Sequence, residues 1–153
     1  RAKFELHINN HTIEREVGLF NCPYIKCKYH TKGYIKSCKE LHLGKHKWIY
    51  NRKFTCDSKN IIYVLKCASC PSFYIGQTTN LRQRTAKHKS DIDNPQNSNC
   101  KECTNHLREC NVNSEEPFFS IYPIYYEDDS NKRQFLELRF IKKFKPPLNL
   151  NHV

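Results

Sequence analysis

Two apolar runs stand close together in the middle of the chain. "NIIYVLKC", from Asn60, and "SFYIGQT", from Ser72, are rich in Ile, Val, Tyr and Phe, and "ASCPS" between them predicts a hairpin of two strands. Behind them, "TTNLRQRTAKHKSDI" offers Thr79 or Asn80 as a helix cap. Leu81, Thr85 and His88 then fall at helical spacing, which predicts a helix over about 81–91. Residues 93–117 are polar, with "DNPQNSNCKEC" reading as a loop. "PFFSIYPIYYE" supplies a third strand, and its Pro123 argues for an edge position or a break. Ser130 can cap "NKRQFLELRFIKKF", where Phe135, Leu138, Ile141 and Phe144 recur every third residue until Pro146 and Pro147 stop the helix. The order β, β, α, loop, β, α predicts an α+β fold: a small antiparallel three-stranded sheet flanked by helices. Residues 1–56 show little sustained periodicity. The chain therefore divides into a basic, Cys/His-rich module over 1–56 and a second domain over 57–153.

Composition adds two constraints. At 153 residues there is room for one main core and an appendage, yet only 38% of residues are apolar and 27% charged, so something besides burial has to hold part of the fold. Lys and Arg outnumber Asp and Glu by 26 to 15. The excess is concentrated in residues 1–56, with twelve against four. Such a field attracts phosphate backbones or anionic surfaces, although a solvated basic face is the plain alternative. No apolar run approaches the ~18 residues of a spanning helix, and nothing near the start resembles a signal peptide, so no membrane partner is expected. The chain opens at Arg1 without Met, which suggests a piece of a longer protein.

The nine cysteines, several interleaved with histidines among lysines, fit zinc better than disulfides. In the basic module a zinc set of Cys22, Cys27, His30 and Cys56 is expected, with Cys38 as the main substitute. Cys38, His42 and His46 would share one side of a helix, but Gly44 weakens that helix, and exposed histidines are the better reading.

Arg84 and His88 are four apart and project from one helix face. Tyr63 and Tyr74 sit on adjacent strands. Glu137 lies midway along a helix among apolar neighbours, where a buried carboxylate needs a cation or a metal. Taken singly, the tyrosines are ordinary strand aromatics, His88 a half-buried helix residue, and Glu137 a partner for Arg133 or Arg139. Together they form a set suited to phosphodiester cleavage: a metal on the carboxylate, a guanidinium on the phosphate and a proton acceptor for water.

At this point "IIY", ten residues, "YIGQTTNLRQRTAKH" and the later "LELRFIKKFKPPLN" closely resemble the GIY-YIG nuclease signature. Carried over by motif, Tyr63 is the first tyrosine and Tyr74 and Gly76 belong to YIG. Arg84 and His88 are the helix residues, Glu137 is the metal ligand and Asn149 the closing asparagine. Ile61 stands where the family name has glycine. The Cys-x-x-Cys inside the hairpin and the basic Cys/His-rich region before it resemble the endonuclease domain of Penelope-like retroelements. That resemblance implies a nuclear enzyme acting with a reverse transcriptase and its template RNA. It would nick double-stranded DNA to prime reverse transcription, using one Mg2+ on Glu137 and two structural zinc ions. The second zinc set is then Cys67, Cys70, His106 and Cys110, with Cys100 and Cys103 competing for the places of His106 and Cys110. Trp48, Tyr50 and Phe54 are expected to join the Lys/Arg of the first module on DNA. A non-catalytic, zinc-dependent nucleic-acid-binding module of a reverse transcriptase is the alternative.

Overall fold

A computed structural model describes the backbone of residues 2–8 and 11–149 and the side chains of residues 16–149. Its centre is the expected α+β unit. Strands β6 (Lys59–Cys67), β7 (Phe73–Asn80) and β8 (Phe119–Tyr126) form an antiparallel sheet in the order β7-β6-β8. Pairing of Tyr63 with Gly76 and of Leu65 with Tyr74 puts both tyrosines on one face. Pro123 marks both an edge and an irregularity. β8 is an outer strand, and its register on β6 shifts between Ile62 and Tyr63, leaving Ile124 as the extra residue of a bulge.

Helix α2 (Leu81–Asp93) follows β7, with the Asn80 side chain accepting from Gln83 N at 3.1 Å as its cap. The polar stretch after it is more ordered than a loop: a 3-10 turn at Pro95–Asn97 leads into helix α3 (Lys101–Cys110). Helix α4 (Ser130–Phe144) starts one residue earlier than expected, because Asp129 rather than Ser130 supplies the cap, accepting from Lys132 N at 2.9 Å.

The apolar stripe of α4 also differs from the one read in the sequence. Ile141 and Phe144 are buried, but Phe135 is 61% and Leu138 51% exposed. A three-residue repeat drifts round a 3.6-residue helix, so Phe135 and Phe144 end on opposite sides. The inward stripe is Arg133, Leu136, Glu137, Phe140, Ile141 and Phe144. Arg133 is buried without a carboxylate: it donates to Gln77 Oε1 at 2.9 Å and to the Glu127 carbonyl at 2.8 Å.

Residues 2–54 hold more strand than their sequence pattern suggested. β1 (Ala2–Ile8) pairs antiparallel with β2 (His11–Leu19), whose end runs parallel to β5 (Lys53–Phe54). A single-turn helix, α1 (Lys28–Thr31), follows. β3 (Glu40–Leu43) and β4 (His46–Ile49) make a hairpin with Gly44 at φ +61° in its turn, so Cys38, His42 and His46 do not share a helix. One hydrophobic core runs from Leu19 through the sheet to Leu148. Tyr50 and Phe54 are buried in it, and Trp48 packs edge-on against Phe140 and Phe144 at 5.7 and 6.2 Å. These three aromatics face the protein interior, which corrects the expectation that they contact DNA. Among the described residues, no helix is long and apolar enough to cross a membrane.

Candidate active site and metal centres

The two tyrosines and His88 form one aromatic cluster on the α2 side of the sheet. Tyr63 is fully buried. Its Oη lies 2.8 Å from His88 Nε2, and the His88 ring meets both tyrosines edge-on at 5.7 and 6.0 Å. Gly76 is required by this packing. A Cβ there would stand 2.5 Å from Tyr63 Oη and 2.6 Å from Cζ, so the ring occupies the space a side chain would need. Gly76→Ala is therefore expected to displace Tyr63 and to cost roughly 1–3 kcal/mol, the usual penalty of overpacking, measurable by urea denaturation.

Burial pushes the Tyr63 hydroxyl well above its ordinary pKa, Tyr74 adds to the rise and Arg84 opposes it. Tyr74, half-buried, is raised chiefly by burial, with Glu137 adding and Arg84 opposing. Glu137 is likewise pushed up by burial, to about 7, with the Arg84 charge pulling the other way. Neither Arg84 nor Glu137 makes an ion pair or hydrogen bond among the described residues. The bland partners are otherwise engaged or distant: Arg133 holds Gln77, and Arg139 lies over the Phe135 ring. A half-buried carboxylate and a guanidinium that feel each other's charge without forming an ion pair are receptive to a metal ion and a phosphate.

Asn149 closes the far side. Its Oδ1 accepts from Ile75 N at 2.8 Å and its Nδ2 donates to Ile75 O at 2.9 Å, so one side-chain amide continues the sheet beside β7. Tyr63, Tyr74, Arg84, His88, Glu137 and Asn149 thus gather around β6–β7 and the two helices packed on it.

Both Cys/His sets anticipated in the sequence assemble. Cys22, Cys27, His30 and Cys56 bring their ligand atoms within 4.8 Å of one another, as do Cys67, Cys70, His106 and Cys110. In the first, His30 Nδ1 lies 3.5 Å from Cys22 Sγ and 3.4 Å from Cys56 Sγ. In the second, Cys70 Sγ and His106 Nε2 are 3.2 Å apart. Tetrahedral zinc with ordinary Zn–S and Zn–N bonds separates such ligands by about 3.6 Å, so both clusters can hold a zinc ion. Cys38 is in neither cluster; its backbone pairs with Leu19 across a β-bridge. Cys100 and Cys103 are also outside, at the start of α3. It is His106 and Cys110 that meet Cys67 and Cys70, and Cys100 lies about 9 Å along the helix axis from His106.

One thiol in each cluster is held toward thiolate, while Cys56 and Cys110 are pushed up, to about 12 and about 11, chiefly by desolvation. Burial raises Cys70, but hydrogen bonds from Ser72, His106 and Cys67 outweigh it and bring the thiol down to about 6. At the other cluster burial raises Cys27, and bonds from His30, Tyr29, Cys22 and Arg82 lower it to about 7.

Arg82 was not anticipated. It donates to Cys22 Sγ at 3.1 Å, Cys27 Sγ at 3.4 Å and Asp57 Oδ1 at 2.6 Å, tying the first cluster to the helix that carries Arg84 and His88. Only its place in the first turn of α2 hinted at it. Because outer-shell donors orient metal ligands, Arg82→Ala is expected to weaken zinc at this cluster by about 10–100-fold in competition with a colorimetric chelator, leaving the second cluster unchanged.

A sheet face bearing two tyrosines, a helix-borne Arg and His, a lone glutamate and a closing asparagine define a phosphodiesterase-type site on a three-stranded α+β core. Residues 59–151 match the GIY-YIG catalytic domain, and the chain belongs to that family. This makes it a nuclease of the GIY-YIG type, with DNA as the substrate the family implies and a metal as the family's requirement. The chain has no significant match among curated proteins or among solved structures.

Proposed function

We propose that this chain is the endonuclease of a Penelope-like retroelement, nicking double-stranded DNA so that the freed 3′ hydroxyl primes reverse transcription. The single observation that carries the nuclease chemistry is Glu137: a half-buried carboxylate with no partner, held beside an unpaired Arg84 and Tyr74. Its hard oxygen donors suit one Mg2+, which would supply charge neutralisation at the scissile phosphate. Arg84 binds the phosphate and stabilises the charge developing on it. Tyr74, half-buried and within the fields of Glu137 and Arg84, is the phenol assigned to the phosphate. Tyr63, wholly buried and bonded to His88, positions and relays protons behind it. Asn149 fixes the β7 edge on which Tyr74 sits.

Zinc in the two Cys/His clusters is structural, two ions with no open position for substrate. The retroelement assignment is supported by the Cys67/Cys70 pair inside the hairpin, which reaches α3 rather than the basic module. Residues 1–56 form the DNA-contacting module through lysine and arginine contacts to phosphate, so binding falls steeply with salt. A nuclear location and a reverse transcriptase with its template RNA as partner follow from the same reading.

Incubation of zinc-loaded protein with supercoiled plasmid and Mg2+, beside Glu137→Ala and Arg84→Ala, tests it. Conversion to nicked circle by the parent alone is the expected result. Binding without nicking by a folded, zinc-replete chain would point to a non-catalytic nucleic-acid-binding module instead.

A further inference from the structure

The Cys-x-x-Cys at the start of α3 is left over from both zinc clusters, yet it does not stand alone. Cys100 brings its sulfur to His88 and Asp91, and the three ligand atoms lie within 4.8 Å of one another. His88 and Asp91 are both buried, one turn apart on α2. Cys100 is held in place from below: its N donates to Ser98 Oγ at 3.1 Å, and Ser98 Oγ in turn lies 3.7 Å from Cys100 Sγ and 2.7 Å from Thr104 Oγ1. Cys103, buried one helical turn on, is in hydrogen-bond contact with the Cys100 thiol.

Other charged groups facing this pocket are few. Lys87 Nζ sits 2.6 Å from Asp91 Oδ1 at the pocket's solvent side, where Lys87 also holds the Asn97 carbonyl. Arg84 and Tyr74 lie on the active-site side. One imidazole, one carboxylate and one thiol converge in a largely buried space, with Lys87 balancing Asp91 at its rim, and a metal that displaces the thiol proton would satisfy all three donors at once. Mixed nitrogen, oxygen and sulfur donors of this kind select zinc over magnesium or calcium.

The free nitrogen of His88 is the decisive point. Nε2 is taken by Tyr63 Oη at 2.8 Å, so Nδ1 is the nitrogen left for a metal. We propose that His88, Asp91 and Cys100 bind a third zinc ion, and that this ion sets the tautomer of the active-site histidine. With Nδ1 on the metal, the ring proton resides on Nε2 and donates to Tyr63, whose own hydroxyl proton is then directed toward the site. The pocket is thus an anchor for the rear of the aromatic cluster, separate from Glu137 and its ion.

The test is zinc per chain, read by elemental analysis on protein purified under reducing conditions and dialysed free of loose metal. Cys100→Ser and Asp91→Asn are each expected to hold one zinc fewer than the parent, and combining Cys100→Ser with Cys70→Ser to remove one more. Nitrogen NMR of the zinc-loaded parent should show His88 protonated at Nε2, with that signature lost in both single variants. Equal zinc in the parent and in both folded variants would overturn the proposal. So would recovery of a Cys100–Cys103 disulfide, in place of metal, from the freshly reduced and dialysed chain. The count needs no DNA, so absent nicking leaves it readable.

Discussion

Complete removal of zinc is expected to unfold the region around Cys22–Cys56 and abolish nicking, even when Mg2+ is restored in excess. Three of the four ligands there, Cys22, Cys27 and Cys56, are buried, and Arg82 from α2 leans on two of them. Structural zinc in small modules contributes roughly 10–16 kcal/mol at neutral pH, which matches or exceeds the ~5–15 kcal/mol net stability of an ordinary domain. Loss of the ion therefore takes with it the packing of β3–β4 on α4. Trp48 is the reporter, being the only tryptophan and seated on Phe140 and Phe144. Chelation followed by fluorescence should show its emission shift to the red as the ring enters water, with activity lost in parallel. A zinc-free chain with unchanged Trp48 emission and full nicking would sink the idea.

The second large effect is expected from Glu137→Gln, which should separate chemistry from stability. Loss of the carboxylate removes the hard ligand, and nicking should fall on the order of a thousandfold, equivalent to several kcal/mol of transition-state stabilisation. In zinc-loaded, Mg2+-free protein the same change should stabilise the fold above neutral pH. Burial raises the Glu137 pKa from 4.5 unfolded to about 7 folded, so between those values the native state keeps a proton that the unfolded chain has released. This contribution is fully present below about pH 4.5 and is lost as pH rises through about 7. Glutamine carries no such titration. Allowing for solvent screening of a half-buried group, the variant should gain roughly 1–2 kcal/mol on the parent between pH 5 and pH 8. Denaturant titrations of both proteins at the two pH values measure it, and a parent–variant difference that does not change with pH would contradict the assignment.

The sheet and α2 were legible because their signals are long. Nine residues of β6 and eight of β7 surround a turn, and Asn80 caps the helix that follows. β3 and β4 have four residues each, ELHL and HKWI, and so short a pattern does not separate strand from coil. The exposed Phe135 and Leu138 misled because a repeat of three resembles a helical stripe over two turns and leaves it over three. Trp48, Tyr50 and Phe54 read as DNA-facing because basic neighbours surround them, whereas tertiary packing turned all three inward. At the metal centres local spacing identifies pairs of ligands. Which pairs meet depends on where α3 lies, and the axial separation of Cys100 from His106 is a property of the folded helix.

The amide of Asn149 on Ile75 has a further consequence. On the opposite side of the sheet, Ile121 N is taken by the Tyr34 carbonyl at 2.8 Å, and next to Ile75 the Phe73 carbonyl accepts from Leu148 N at 3.1 Å. Both margins of a short sheet are thereby blunted by the chain's own groups, which denies neighbouring molecules a template for edge-to-edge polymerisation. Cutting the chain after Pro147 would uncover the Phe73–Ile75 margin and is expected to make the protein self-associate.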